Sequence, residues 1–453
     1  IGFQERSLSP ETPFVDISLR QLQIFLDLYD EVQWEALNYL IGHCNYGGKI
    51  TDDWDRLAMM SMIGFFVNED VLVDGYKFGS GSVLEKGDYY APSDTNLEGY
   101  QEYLQNLPLF ESPQLFGLHE NANITYAINQ SNRMVDTVIA LQSGGGGGGG
   151  GGDDDAVDAM AEQMLGRLPD NFDMEKVEGK YPIIYEESLN TVLKNDTMGF
   201  NVLLDTVRSS LKTLRRALKG FVSMSAALDD VYNGIAGNKQ PSGWTGKAYP
   251  SLKTLASWFN DLLARCAFLQ KWYEEGPPNA FWLSGFFFTQ AFLTAVVQNF
   301  ARAECIPIDQ LYLTHEMMPT AEDEMDGSGC TEKAEYGTYV HGLFMEGARW
   351  SEEKRSLIDS VPKVLFTQFP VIWLKPRARI EEGDHTMGMQ LPMDPVPDGY
   401  YRSPMYKTAE RRGILSTTGQ STNYVMAVYI PTVGVDANFW SMRAVCLLTC
   451  LTD

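Results

Sequence analysis

The stretch RRGILSTTGQSTNYV (411–425) sets two arginines, two glycines and five Ser/Thr hydroxyls within fifteen residues, a composition that could cradle a phosphate. Backbone anion binding needs converging N–H groups, normally a glycine turn that runs into a helix N-terminus. After Gly419 the residues are Gln-Ser-Thr-Asn-Tyr-Val-Met-Ala-Val-Tyr-Ile, a strand composition, and Ile414 and Leu415 are strand-like too. A strand–turn–strand with hydroxyls paired across the turn is therefore expected for Arg411–Thr422. The alternative is a stand-alone domain binding an anion or small ligand at that turn.

Other candidate motifs fail on spacing. Gly243-Trp-Thr-Gly246-Lys247 resembles the end of a phosphate loop, but Pro241 occupies the first glycine position and Ala248 replaces the hydroxyl that would hold Mg²⁺. His119-Glu120 and His315-Glu316 begin like zinc-protease motifs, yet Asn123 and Pro319 stand where the second histidine belongs. With five histidines, no GxSxG elbow and no Cys/His constellation, the expectation is no catalytic, cofactor-binding or metal-binding residue in this chain.

Bulk properties narrow the classes further. At 453 residues the chain should hold two or three domains, and 44% hydrophobic content reads as globular. A formal net charge of −25 repels nucleic acid and anionic membrane, so neither is expected as a partner. The six scattered cysteines read as reduced, buried intracellular thiols. Three Asn-x-Ser/Thr matches (Asn123, Asn129, Asn195) lack a preceding signal peptide and are discounted. A start at Ile1 rather than methionine suggests a piece of a longer protein. From Phe281 to Ala301 the sequence has no charge, but Ser284, Thr289, Gln290, Thr294, Gln298 and Asn299 suit a buried helix better than a bilayer span.

The elements that would position any site emerge from periodicity. Leu19, Leu22, Leu26, Tyr29, Trp34, Leu37 and Ile41 predict helix over 16–41, broken at Asn45-Tyr-Gly-Gly and resumed over Asp52–Phe66. A loop or short hairpin is expected over Gly75–Pro92, and a short helix over Leu97–Leu107. Nine glycines at 144–152 followed by Asp153–Asp155 predict a flexible surface insertion with a reach of about 15–18 Å. Leu193, Phe200, Leu203, Leu204, Val207, Leu211, Leu214, Leu218, Phe221, Val222 and Leu228 predict one amphipathic helix, with Asp205, Arg208, Lys212, Arg215 and Lys219 on its outer face. Further helices are expected near Leu252–Trp272 and Ser284–Arg302. Beyond Ile306, short β-branched and aromatic runs such as Tyr339–Met345, Pro370–Leu374 and Tyr424–Ile430 predict an antiparallel barrel or sandwich, with Trp350, Trp373 and Trp440 as aromatic anchors.

The pattern TxERRGxLSTTGxSTNxV resembles the near-terminal signature of dynein heavy chains. Ser18-Leu-Arg-Gln-Leu-Gln, Asn45-Tyr-Gly-Gly-Lys-Ile-Thr-Asp-Asp-Trp-Asp-Arg and Phe116-Gly-Leu-His-Glu-Asn-Ala continue the likeness. So do Tyr185-Glu-Glu-Ser-Leu-Asn-Thr-Val-Leu, Tyr249-Pro-Ser-Leu-Lys, Phe281–Thr294 and Gly342–Trp350. The Phe-Phe-Phe-Thr-Gln and Gly-Ala-Arg-Trp versions resemble axonemal chains. Gln420, Leu57 and Met442-Arg-Ala depart from the family's usual histidine, arginine and Lys-Arg-Gly, and the glycine tract is peculiar to this chain.

The resemblance implies an α+β chain. Residues 1–125 would be the helical lid of a sixth AAA+ module, 126–308 the helical part of a C-terminal domain (with 144–155 a flexible insertion), and 309–453 its antiparallel β-barrel. It implies a structural and regulatory part of an ATP-driven, minus-end-directed microtubule motor that powers ciliary and flagellar beating. ATP and Mg²⁺ would sit in upstream modules, so this part would not itself be an enzyme. Implied partners are other AAA+ modules of the same polypeptide, dynein complex subunits and microtubules. The implied location is the cytoplasm and cytoskeleton, in the axoneme of a cilium or flagellum.

Overall fold

The computed structural model describes residues 13–50, 52–78, 89–93, 95–107, 112–144, 152–378, 396–411 and 422–452. The architecture is α+β: helices dominate up to Ala303 and strands dominate after it.

In the first part, α1 (Pro13–Leu28) ends well before Ile41. A separate short helix, Trp34–Tyr39, then runs into a wider π turn at Leu40–Tyr46. Asp27, Asp30 and Glu31 put negative charge at the C-terminal end of α1, where the helix dipole is already negative, and that explains the break. Helix α2 (Asp53–Phe66) is capped by Asp52, whose carboxylate accepts from Trp54 N–H at 2.9 Å and Asp55 N–H at 3.3 Å. Asp52→Ala is expected to cost about 1 kcal/mol of this part's stability, read as a lower denaturant midpoint. Leu97–Asn106 forms the expected short helix. In Gly75–Pro92 a Lys77–Tyr90 bridge starts a hairpin, of which 79–88 lie outside the described residues.

Helix α3 (Asn121–Gly144) and helix α4 (Gly152–Arg167) flank the glycine tract, and residues 145–151 lie outside the described residues. The long helix α5 (Ser188–Leu218) stops ten residues earlier than periodicity predicts. Its end is a Schellman turn: Gly220 at φ +76 donates to Ala217 C=O at 2.9 Å, and Phe221 N–H reaches Arg216 C=O at 2.9 Å. Ser225 then caps a new helix, α6 (Ala226–Ala236). The apolar face of α5 is as expected, with Leu193, Phe200, Leu203, Leu204, Val207, Leu211 and Leu214 fully buried. Acidic neighbours meet much of its basic side: Arg215 pairs with Asp158 at 2.6 Å and Glu162 at 3.1 Å, and Arg208 with Asp205 at 3.3 Å. Helices α7 (Leu255–Glu275) and α8 (Thr289–Ala303) pack on α5. Phe281–Ala301 is thus only partly helical. Its start is strand β1 (Ala280–Trp282), and no helix among the described residues is long and apolar enough to cross a membrane.

The remaining strands are β2 (Leu311–Met317), β3 (Thr338–His341), β4 (Leu343–Glu346), β5 (Ala348–Ser351), β6 (Ser356–Asp359), β7 (Phe366–Phe369), β8 (Ile372–Ala378), β9 (Tyr400–Tyr406), β10 (Tyr424–Pro431) and β11 (Cys446–Leu448). They form a four-stranded sheet β1-β3-β8-β2, a five-stranded sheet β10-β9-β11-β4-β7 and the hairpin β5-β6. The expectation of purely antiparallel pairing is corrected, and that of a closed barrel is not confirmed. Two pairs are parallel, β1 with β3 and β11 with β9, and no closed barrel is found among the described residues. The edges β2 and β10 meet instead through a side chain: Tyr429 N–H donates to His315 Nε2 at 2.6 Å. Burial pushes His315 down to about 4, which keeps the ring neutral and able to accept.

One hydrophobic core runs continuously from Val157 to Leu447, so the helical and strand-rich stretches share their interior. Of the three tryptophans named as anchors, Trp440 is fully buried, but on helix α9 (Ala437–Met442) rather than a strand. Trp350 and Trp373 are half-buried, and Trp373 lies against Tyr336, Tyr339 and the Lys375 ammonium. The cysteines are free. Cys266, Cys446 and Cys450 are buried as expected, but Cys44 and Cys305 are exposed.

Candidate functional site at the seam of the first helices and the sheets

The described end of the arginine-rich stretch lies where the first helices meet the five-stranded sheet. Residues 412–421, including Ser416–Ser421 and both glycines, lie outside the described residues. The strands before and after them, β9 and β10, pair antiparallel from Tyr400–Pro431 to Tyr406–Tyr424, as a strand–turn–strand requires.

Arg411 does not present its charge to a ligand. Its guanidinium donates to Glu346 at 2.6 Å and to the Ala444 carbonyl at 2.8 Å. Glu346 ends β4 directly across from Cys446 on β11, with the thiol sulfur 3.9 Å from the carboxylate. Burial opposes the Glu346 charge, but the adjacent Arg411 cation outweighs it and holds the carboxyl below its usual range. The same burial pushes the Cys446 thiol up to about 12, so it is not a thiolate nucleophile.

Around this pair the first helices dock on two patches. The apolar patch sets α2 against α9, with Trp54 6.3 Å from the Tyr424 ring and the Arg402 guanidinium 5.6 Å from Trp54. Gly117, at φ +81, lets the backbone reach Met442; a Cβ there would fall 2.6 Å from the Met442 Cβ. The polar patch is centred on Asn121, whose side chain bonds the backbone of the Val361–Val364 turn. Arg443 anchors the same region to Asp359 at 3.2 Å. The cavity beside Trp54, Tyr406 and Arg411 measures about 50 Å³, and the one beside Asn121 and Arg411 about 30 Å³, far below what a nucleotide occupies.

The other sequence candidates are structural here. Trp244, inside the false phosphate loop, is buried and donates to Ser210 Oγ at 2.9 Å. His119 Nδ1 accepts from Asn121 N–H at 3.1 Å, and His315 bridges the two sheets. No group of three or more metal-ligating side chains occurs among the described residues. Sequence reasoning did not single out Asn121, Glu346 or Gly117. All three lie within or beside stretches that carry the family likeness (116–122 and 342–350), but nothing local showed that those stretches meet.

A second buried polar cluster lies away from the seam. Arg265 pairs with Asp261 at 2.6 Å, stacks on Tyr249 at 3.7 Å and donates to the Ser284 carbonyl. Asp196, on α5, accepts from Phe287 N–H at 3.0 Å, and burial raises its carboxyl to about 7 despite the Arg265 cation. A raised buried acid of this kind suits general acid–base chemistry, but Asp196 is spent on the backbone turn before α8.

Comparison with known proteins covers both sides of the seam. Residues 13–122 match the family model described as the AAA lid domain of the dynein heavy chain, and residues 128–449 match the model described as its C-terminal domain. The sequence is 42% identical over 432 residues to dynein axonemal heavy chain 3 of Homo sapiens, covering 95% of this chain and 10% of that protein. It is 41% identical over 456 residues to human dynein axonemal heavy chain 12, covering 100% of this chain and 14% of the relative. The chain therefore spans roughly a tenth of the length of the curated relatives it matches.

Proposed function

This chain belongs to the dynein heavy chain family, as a C-terminal region of axonemal type, and from that premise we propose that it braces a motor whose ATP is hydrolysed elsewhere in the polypeptide. In this reading residues 1–125 are the lid of a sixth AAA+ module, 126–308 the helical part of the C-terminal domain and 309–453 its strand-rich part. The whole motor drives minus-end-directed movement on microtubules in the axoneme of a cilium or flagellum. The chain's own role is non-catalytic: it holds neighbouring AAA+ modules in register so that their motions stay coupled.

The observation that supports this best is the Arg411–Glu346 pair. Arg411, the arginine of the 411–425 stretch that the structure describes, is neutralised within the fold, at a seam joining the two family regions. The stand-alone anion-binding alternative is accordingly not favoured. Apolar side chains left outward on α1 fit contact with a module outside this chain: Leu19, Leu26 and Leu28 are 59%, 60% and 71% exposed.

Two measurements test the proposal. Titration of the purified chain with labelled ATP, ADP and phosphate should give no saturable binding up to millimolar ligand. In the complete heavy chain, deleting residues 126–453 should leave ATP hydrolysis measurable while changing the ratio of gliding velocity to ATP turnover. Micromolar nucleotide binding by the chain alone, or an unchanged ratio after deletion, overturns the reading.

A further inference from the structure

Asn121 is 8% exposed, although the helix it begins turns Tyr126, Met134 and Val135, all more than half exposed, to solvent. Its carboxamide Nδ2 donates to the carbonyls of Val361 at 3.0 Å and Val364 at 2.9 Å, and its Oδ1 accepts from Lys363 N–H at 2.7 Å. Lys363 sits at φ +69, in the left-handed region that a side chain of its kind rarely adopts, so the turn presents all three backbone groups to one point. Two acceptors and one donor in that arrangement match a primary amide. A carboxylate has no donor, a hydroxyl cannot fill three positions, and a glutamine is one methylene longer.

We infer that Asn121 is the orienting joint of the seam, the residue that fixes the angle of the first helices and α3 to the five-stranded sheet. The apolar patch of α2, Gly117, Met442 and α9 supplies attraction but little direction, because hydrophobic contact is non-directional. Three hydrogen bonds from one buried amide supply direction. The turn they grip joins β6 to β7, and β7 is the edge strand paired with β4, on which Glu346 holds Arg411. Force applied to the exposed length of α3 therefore reaches the sheet through this joint.

Hydrogen exchange read by mass spectrometry on the intact heavy chain tests the inference. With Asn121→Ala, exchange of peptides covering Ser360–Leu365, Asp53–Phe66 and Ala437–Met442 should accelerate roughly ten- to hundredfold, while Leu203–Leu214 stays protected. Asn121→Asp separates this role from simple helix capping. Aspartate is as good as asparagine at a helix start, yet here its carboxylate would face two carbonyl oxygens, so exchange should accelerate, and more at pH 8 than at pH 5. If Asn121→Asp leaves the seam as protected as asparagine does, the inference is wrong. Should both variants fail to fold, the unmodified chain still decides: across a denaturant series Asp53–Phe66 and Ser360–Leu365 should open with one common constant. Separate opening of the two sinks the joint.

Discussion

Arg411→Ala is expected to lower the stability of the chain by about 3 kcal/mol, seen as a shift of the urea midpoint without a large change in slope. The loss is not the worth of the Arg411–Glu346 bond as such. It arises because the substitution leaves the Glu346 carboxylate, only 17% exposed, without its counter-ion beside Cys446 and beneath the first helices. The pH dependence carries a sign. In the native chain the Glu346 carboxyl is held below its usual value, so its contribution is present above the ordinary glutamate range and disappears as pH falls through the depressed one. In the variant, burial acts without the opposing Arg411 cation and raises that carboxyl relative to the native chain. The Glu346 contribution should then be recovered on acidification, as protonation removes the stranded charge. Arg411→Met combined with Glu346→Gln should restore most of the stability, since no charge is then left buried. A midpoint shift worth under about 1 kcal/mol for Arg411→Ala would mean that the pair is solvated and adds little to holding the seam.

Asp196→Asn should raise stability by about 3 kcal/mol more at pH 8 than at pH 5, and change it little only below about pH 4. Asp196 is 3% exposed and accepts from Phe287 N–H, and burial lifts its carboxyl from the ordinary value to about 7. A carboxyl raised on folding favours the folded state while it keeps its proton. That contribution is complete below pH 4 or so and is lost as pH rises through about 7. Asparagine keeps an acceptor for Phe287 and never ionises, so the variant should lack this slope. Thermal unfolding from pH 5 to pH 8 is the measurement, and parallel curves for the two proteins would show that Asp196 does not titrate in this window.

The residue pattern alone determined much of this protein. Helical periodicity picked out the buried face of α5, because a 3.6-residue repeat of leucine, valine and phenylalanine is satisfied only by a helix against a core. The failed spacings at Gly246-Lys247 and His315-Glu316 argued against a Walker loop and a zinc motif, since both chemistries require fixed offsets. Ordered stretches from Ser18 to Val425 carried the family likeness. Periodicity overran at Gly220, where a left-handed glycine ends α5 although apolar residues continue beyond it.

Only the tertiary structure decided which distant residues meet. Asn121 reaches a turn some 240 positions away, and Arg411 finds Glu346 across 65. Neither partner is marked by its neighbours, because hydrogen-bond and charge pairing across a seam depends on topology rather than local propensity. Sheet order is of the same kind: a strand's composition reports that it is buried, but not that β11 runs parallel to β9, since pairing direction is set by the path of the connecting segments.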